Sequence, residues 1–138
     1  MDKPILEIRG LGKYFSVVRA LDNITMDIKK GEIHAICGEN GAGKSTLMKI
    51  LDGFYPYGTY EGDFYVDGQK CCFHSPKDST AAGIAMIYQE ISILEYMNLA
   101  DNILAGNYPI KNGIIDKKET HRIAEKYLAM VNLDKSSF

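Results

Sequence analysis

Alternating hydrophobic and polar residues at the start of the chain predict antiparallel β-strands. One such run covers Ile5–Arg9, and a second, more regular run covers Asn23–Lys29. The apolar positions of the second run are Ile24, Met26 and Ile28. The next run, Glu32–Cys37, is mostly apolar, which predicts a strand that is buried on both faces. Three strands are therefore expected before residue 38.

The apolar spacing becomes helical after Lys44. Leu47, Ile50 and Leu51 recur at helical intervals, and Gly53 suits the position just beyond a helix end. Residues 63–73 then predict a β-hairpin.

The hairpin is followed by a short helix and another apolar run. Asp67-Gly68 is the sequence of a two-residue type I′ turn. Ser75 as N-cap, Pro76 in the first turn and Gly83 as terminator delimit a helix. Ile84–Tyr88 predicts a second buried strand.

The remainder of the chain predicts helices. One helix begins at Asn98, and the longest amphipathic segment is Asp116–Leu133. Asp116 and Glu119 have the spacing of a capping box at its start. The apolar stripe expected to face the core is formed by Ile123, Tyr127 and Val131.

Composition excludes several classes of protein. The 138 residues suit about one domain, and the formal net charge of −2 gives no general attraction to nucleic acid or anionic lipid. No apolar run is long enough to span a bilayer, and the first ten residues hold no apolar signal core. Three cysteines, two of them adjacent, argue against a disulfide framework, and no Cys/His pair has zinc-ligand spacing.

The segment "CGENGAGKSTL" carries the clearest chemistry. Two glycines separated by four residues precede Lys44 and Ser45, which is the pattern of a phosphate-binding P-loop. Glycines allow backbone N–H groups to approach an anion closely, and the helix that follows adds its positive N-terminal dipole. Lys44 would supply a charge to the β- and γ-phosphates, Ser45 a hydroxyl ligand to Mg²⁺, and Thr46 a contact to the α-phosphate. The predicted phosphate-binding residues are Gly38, Glu39, Asn40, Gly41, Ala42, Gly43, Lys44, Ser45 and Thr46.

The order of motifs resembles the ATP-binding cassette (ABC) family. The "LGKYF" segment resembles the A-loop, whose aromatic residue stacks on adenine; the spacing implies Phe15, with Tyr14 as the alternate, and Val18 beside the ribose. The "IAMIYQE" segment resembles the Q-loop, which implies that Gln89 contacts Mg²⁺ and the attacking water. A soluble nucleotide kinase, the first rival, usually has its P-loop after the first strand.

The resemblance covers essentially the whole chain and extends to the monosaccharide-importer branch of the family, of the xylose or multiple-sugar type. It implies an α/β fold with a P-loop NTPase (ABC-type) core, an N-terminal antiparallel β region and the beginning of a helical subdomain. The implied division places the core in residues 1–97 and the start of the helical subdomain in residues 98–138. It further implies Mg-ATP as ligand, with Lys44 and Gln89 taking part in catalysis.

The same resemblance implies partners and a location. These are a second cassette, transmembrane permease subunits and, indirectly, a periplasmic or extracellular sugar-binding protein, with no nucleic acid. The protein would act at the cytoplasmic face of the cell membrane as a peripheral subunit. Exposed apolar residues within Ile91–Leu99 would fit a surface that docks on the permease, although packing inside the subdomain explains them equally. A non-transport ABC ATPase of DNA repair or translation is the alternative.

Several motifs of the intact family are not present in the sequence. No "LSGGQ"-like signature occurs, and three acidic residues that follow apolar runs do not suit a Walker B strand. Asp67 belongs to a hairpin turn, Asp116 to a helix cap, and Asp134 lacks a strand and a following glutamate. Glu90 belongs to the Q-loop rather than to a catalytic base. We therefore expect these 138 residues to bind nucleotide with little or no hydrolysis.

Overall fold

The structure is a computed structural model that describes residues 3–89 and 93–133. The chain divides into two compact units, Met1–Ile87 and Tyr88–Phe138.

The first unit is an antiparallel sheet with two helices. Its strands lie in the order β2-β1-β3-β4. The elements in chain order are β1 (Pro4–Phe15), β2 (Val18–Lys29), α1 (Lys44–Leu51), β3 (Glu61–Val66), β4 (Gln69–Lys70) and α2 (Pro76–Ala81). The predicted antiparallel β region is thus present.

Strands β1 and β2 form a long hairpin that extends beyond both predicted runs. Phe15 pairs with Val18 at its end, so Ser16 and Val17 make the connection. Ser16 has a φ of 52°, which is the positive value a tight hairpin connection requires. Along β2 the predicted apolar positions are half-buried, and the polar residues between them are exposed.

The core of this unit lies between the sheet and α1. Leu47, Ile50 and Leu51 are buried, as their helical spacing predicted. They join residues from β1, β2 and β3 and from the chain that follows β4. The other buried members are Ile8, Leu11, Leu21, Phe64, Cys71 and Phe73. Burial of this apolar surface is the main force that holds α1 on the sheet.

The predicted turns and caps of this unit are confirmed. Asp67 and Gly68 both have positive φ, 49° and 74°, as a type I′ turn requires. Helix α2 begins after Ser75 with Pro76 in its first turn. The Asp78 carboxylate accepts hydrogen bonds from the backbone N–H groups of His74 and Ser75, and these bonds lower the pKa of Asp78.

Two predicted strands are wrong. In the described part of the chain, Glu32–Cys37 and Ile84–Tyr88 form no ladder with any strand. Ile33 is 99% exposed and Ile87 is 97% exposed. Their apolar composition predicted burial, but a strand also needs a neighbour that supplies hydrogen-bond partners. Among residues 3–89 and 93–133, β1–β4 pair only with one another.

The second unit contains two helices and a small hairpin. Its elements are α3 (Leu99–Ile103), β5 (Ile110–Lys111), β6 (Ile114–Ile115) and α4 (Lys117–Met130). Asn98 caps α3, since its side chain accepts a hydrogen bond from the Asp101 N–H at 2.9 Å. Asp116 caps α4 by accepting from the Glu119 N–H at 3.1 Å. Both predicted helix starts are confirmed.

The buried face of α4 differs from the predicted stripe. Thr120, Ala124 and Leu128 are buried. Of the predicted stripe, Ile123 is half-buried, Tyr127 is 49% exposed and Val131 is also exposed. The observed face is rotated by one residue, about 100°, from the predicted one. The small side chain of Ala124 lies on the buried side of a helix that packs on α3, and a pattern that counts only large apolar residues misses it.

Candidate functional site

The glycine-rich loop before α1 contains a tight turn, and two of its glycines adopt the left-handed backbone conformation. The Ala42 N–H donates to the Glu39 carbonyl at 3.2 Å. Gly41 and Gly43 have φ values of 86° and 85°, a region that side-chain-bearing residues rarely adopt. The loop therefore needs glycine at these positions for its own conformation.

Lys44 folds back over this loop. Its Nζ donates to the Gly38 carbonyl at 2.6 Å and to the Glu39 carbonyl at 2.7 Å. Both contacts are exposed to solvent. The loop thus holds a positive charge above its own backbone.

The N-terminus of α1 adds to this positive potential. Gly43 is the N-cap and has no side chain with which to accept from the first-turn N–H groups. The structure describes the whole first turn of α1, and this turn contains no acidic side chain. Ser45 is exposed and Thr46 is half-buried in the same turn. A helix start of this kind, beside a lysine, favours a negatively charged ligand.

Close backbone packing joins the loop to the sheet. A β-carbon at Gly43 would overlap the carbonyl oxygen of Ala20 and would lie 2.9 Å from a methyl group of Leu21. The end of the loop is therefore seated directly on β2, two residues from Val18.

The predicted A-loop residues lie at the end of the β1–β2 hairpin. Phe15 is 39% exposed and pairs with Val18, which is exposed as well. The Phe15 ring makes an edge contact with Tyr55, with ring centroids 5.4 Å apart. Tyr14, the alternate, is also exposed, and the Arg19 guanidinium lies 5.3 Å from its ring centroid. Phe15, Val18 and the glycine-rich loop thus belong to one unit.

Two residues beside Phe15 were not predicted. Lys13 is buried, and its ammonium donates to the Thr59 carbonyl and lies over the rings of Phe15 and Tyr55. Tyr55 comes from the tyrosine-rich loop after α1. The sequence showed a lysine and several tyrosines, but only the fold brings residues 13 and 55 together.

Other predicted site residues lie in the second unit. Gln89 is exposed, and Glu90 lies outside the described residues. Within the predicted docking segment, the apolar residues Ile93, Leu94, Tyr96 and Met97 are exposed. The Asn102 side chain ties this segment together, since it accepts from the Leu94 N–H at 2.8 Å and donates to the Met97 carbonyl at 3.1 Å.

Two of the three acidic residues set aside as Walker B candidates occupy the places predicted for them. Asp67 lies in the β3–β4 turn and Asp116 caps α4, while Asp134 lies outside the described residues. Among residues 3–89 and 93–133, no group of three or more His, Cys, Asp or Glu side chains could hold a metal ion. No helix in these same ranges is long and apolar enough to cross a membrane.

Comparison with known proteins identifies the family. The family model described as "ABC transporter" matches residues 21–137. The xylose import ATP-binding protein XylG of Thermoanaerobacter pseudethanolicus is 52% identical over 136 residues, which are 96% of this chain and 27% of that protein. The L-arabinose transport ATP-binding protein AraG of Geobacillus stearothermophilus is 49% identical over 99% of this chain and 26% of that protein.

Comparison with solved structures supports the same family. A nucleotide-free ATP-binding cassette from an ABC transporter superposes with a TM-score of 0.72 at 27% identity, covering 94% of this chain and 53% of that one. The chain spans about a quarter of the length of the curated relatives it matches. The sheet, the glycine-rich loop and these matches together show that the chain belongs to the ABC transporter family and has the α/β fold of its ATP-binding cassettes.

Proposed function

We propose that this chain binds ATP through residues 38–46 and Phe15. The observation that carries the proposal is the position of Lys44, whose ammonium lies over the glycine-rich loop beside the helix N-terminus. A triphosphate can replace the two carbonyls as acceptor for this cation, because phosphate oxygens bear a formal charge that carbonyls lack.

Each predicted residue has a defined part in this proposal. The backbone N–H groups of residues 38–46 bind phosphate oxygens, and Lys44 binds the β- and γ-phosphates. Thr46 contacts the α-phosphate. Phe15 stacks on adenine beside Val18, which packs against the ribose.

Two residues carry oxygen donors that we propose as ligands of Mg²⁺. Ser45 offers an exposed hydroxyl in the first turn of α1, and Gln89 offers an amide oxygen. Oxygen donors of this kind are those that Mg²⁺ prefers, and the ion usually also binds substrate phosphates. When bound it would neutralise charge on the phosphates. The chain's own contribution is to orient the triphosphate and to place Lys44 and the helix dipole against it.

For the whole protein, we propose an ATP-binding subunit that hydrolyses ATP to drive uptake of a monosaccharide such as xylose. The names of the relatives, which are xylose and L-arabinose import proteins, support this activity over that of a non-transport ABC ATPase. The proposed partners are a second cassette, permease subunits and, indirectly, a sugar-binding protein. Residues 1–97 would form the nucleotide-binding core and residues 98–138 the start of the helical subdomain. The exposed apolar segment 93–97 suits docking at the cytoplasmic face of the membrane.

Substitution of Lys44 tests nucleotide binding. We expect Lys44→Ala to weaken both ATP and inorganic triphosphate by about tenfold to a hundredfold, because a charge-assisted contact to phosphate is lost. Isothermal titration calorimetry measures both affinities. Lys49→Ala is the matched control: it removes a cation from the same helix, but that cation lies over the Phe54 ring, 5.2 Å from its centroid. Equal binding by Lys44→Ala and the unaltered chain would contradict the proposal.

Hydrolysis provides a separate test. We expect the 138-residue chain to show little or no ATP turnover, since its sequence holds no Walker B aspartate or catalytic glutamate that suits the family. Steady Mg²⁺-dependent release of phosphate, lost in Lys44→Ala, would show instead that these residues suffice for catalysis.

A further inference from the structure

The Phe15 ring belongs to a cluster that also contains the rings of Tyr55 and Phe54 and the buried ammonium of Lys13. The Phe15 and Tyr55 centroids are 5.4 Å apart with the planes at 61°, an edge-type contact. Tyr55 in turn makes an edge contact with Phe54, with centroids 5.3 Å apart. Such pairs stabilise a particular ring orientation because the positive edge of one ring faces the negative face of another.

The Lys13 ammonium links Phe15 to Tyr55. It lies 5.3 Å from the Phe15 centroid and 5.0 Å from the Tyr55 centroid, and it donates to the Thr59 carbonyl. Lys13 is only 7% exposed. A buried ammonium is costly unless its environment compensates it, and here a carbonyl and two aromatic faces do so. Moving either ring away would remove part of that compensation.

The loop that carries Tyr55 is fixed to the core by backbone hydrogen bonds. The Tyr55 N–H donates to the Lys49 carbonyl at 3.2 Å, and the Tyr57 N–H donates to the Phe73 carbonyl at 2.7 Å. Thr59 closes a turn by donating through its N–H to the Pro56 carbonyl at 3.1 Å. The backbone that carries Tyr55 is therefore held in place, and the Tyr55 side chain is half-buried against the core of this unit.

This cluster is close to the glycine-rich loop. Phe15 pairs with Val18, and Val18 is two residues along β2 from Ala20, the residue against which Gly43 packs. Strand geometry places the Phe15 α-carbon about 8 Å from Ala20. One nucleotide can thus contact both the ring and the phosphate loop.

We propose that Tyr55 and Lys13 are positioning residues for Phe15, holding its ring so that its exposed side is ready to stack on the purine base of a nucleoside triphosphate. This inference rests on the ATP binding proposed above. An exposed phenylalanine normally loses rotamer freedom when a ligand stacks on it, and a ring that is already held loses less. Tyr55 and Lys13 therefore increase affinity for the base and leave affinity for the phosphates unchanged.

The test compares two ligands that share the phosphate contacts. ATP and inorganic triphosphate are titrated against the 138-residue chain and its variants, and the ratio of their dissociation constants reports on the base alone. We expect Tyr55→Leu to weaken ATP about threefold to tenfold, with triphosphate changed by less than about twofold. Tyr55→Phe keeps the ring and should restore the ratio. Tyr57→Leu is the matched control, since its ring contacts Tyr60 in the same loop.

A spectroscopic readout can follow the ring itself. The chain contains no tryptophan, so Phe15→Trp introduces a single tryptophan at the proposed stacking position, which can be excited selectively over the tyrosines. We expect ATP to change its emission and inorganic triphosphate to leave it unchanged. Adding Tyr55→Leu to this variant should lower the fluorescence anisotropy of the free protein, because the indole gains freedom.

The outcomes separate this inference from the proposed function. Loss of triphosphate binding in Lys44→Ala but an unaltered ATP-to-triphosphate ratio in Tyr55→Leu would overturn the inference and leave ATP binding supported. An unaltered chain that binds neither ligand would overturn both. If Tyr55→Leu fails to fold, Lys13→Met, which keeps the aliphatic stem, decides: a selective loss for ATP supports the inference, and equal change for both ligands overturns it.

Discussion

Gly43 carries two structural demands at a single residue. Its φ of 85° requires the left-handed region, and its α-carbon lies against the Ala20 carbonyl. The P-loop pattern explains the first demand, since a loop that wraps an anion needs such conformations. The second demand depends on where β2 lies and is visible only in the fold.

Alanine substitutions at two glycines separate these demands. Gly41 has a φ of 86° and open space around its missing β-carbon, whereas Gly43 has the same conformation without the space. We expect Gly41→Ala to lower the free energy of unfolding by about 1–2 kcal/mol, the cost of a left-handed alanine. Gly43→Ala should cost more, on the order of 3 kcal/mol or above, because the backbone must also shift. Urea denaturation measures both, and equal losses would contradict the packing of Gly43 on Ala20.

At the scale of elements, local signals and the buried face of α1 were predicted well, whereas the buried face of α4 was not. The caps at Asn98 and Asp116 and the turn at Asp67-Gly68 are confirmed, because each depends on a side chain and on backbone within four residues of it. The buried face of α4 depends on which neighbour the helix packs against, and that neighbour, α3, lies elsewhere in the sequence. The sequence pattern therefore placed the helix correctly and its buried face incorrectly.

Two adjacent residues of α4 test which face is buried. Leu128 is buried and Tyr127 is 49% exposed. We expect Leu128→Ala to lower the free energy of unfolding of the second unit by about 2–4 kcal/mol, the usual cost of a core cavity. Tyr127→Ala should cost less than about 1 kcal/mol, because its ring is half in solvent. Thermal denaturation followed by circular dichroism compares them, and the reverse order would restore the stripe that the sequence predicted.

At the scale of the whole molecule, two apolar segments lie exposed to solvent. Glu32–Cys37 and the segment 84–88 are mostly apolar, yet neither segment pairs with a strand in the described part of the chain. Exposed apolar residues favour association with other chains. The same composition that predicted buried strands thus predicts limited solubility for this chain.

Polar substitutions in these segments test that surface. We expect Ile33→Thr and Ile87→Thr to reduce binding of the dye anilinonaphthalene sulfonate and to raise the concentration at which the chain aggregates. Neither should change the free energy of unfolding by more than about 0.5 kcal/mol, since both side chains are already in solvent. Val17→Thr, at an exposed position of the β1–β2 connection outside both segments, is the control and should change either property less. A large loss of stability in Ile33→Thr would show that this segment is buried in solution.

The sequence by itself determined the features that depend on residues close together in the chain. These are the glycine-rich loop that precedes Lys44, the helix caps and the hairpin turn; even the family can be identified from the order of such segments. The tertiary structure alone decided which residues support Phe15, why Gly43 has no room for a side chain, which face of α4 is buried, and which apolar runs find strand partners. The physical reason is that packing and strand pairing are set by neighbours distant in sequence, and local patterns carry no information on which neighbours those are.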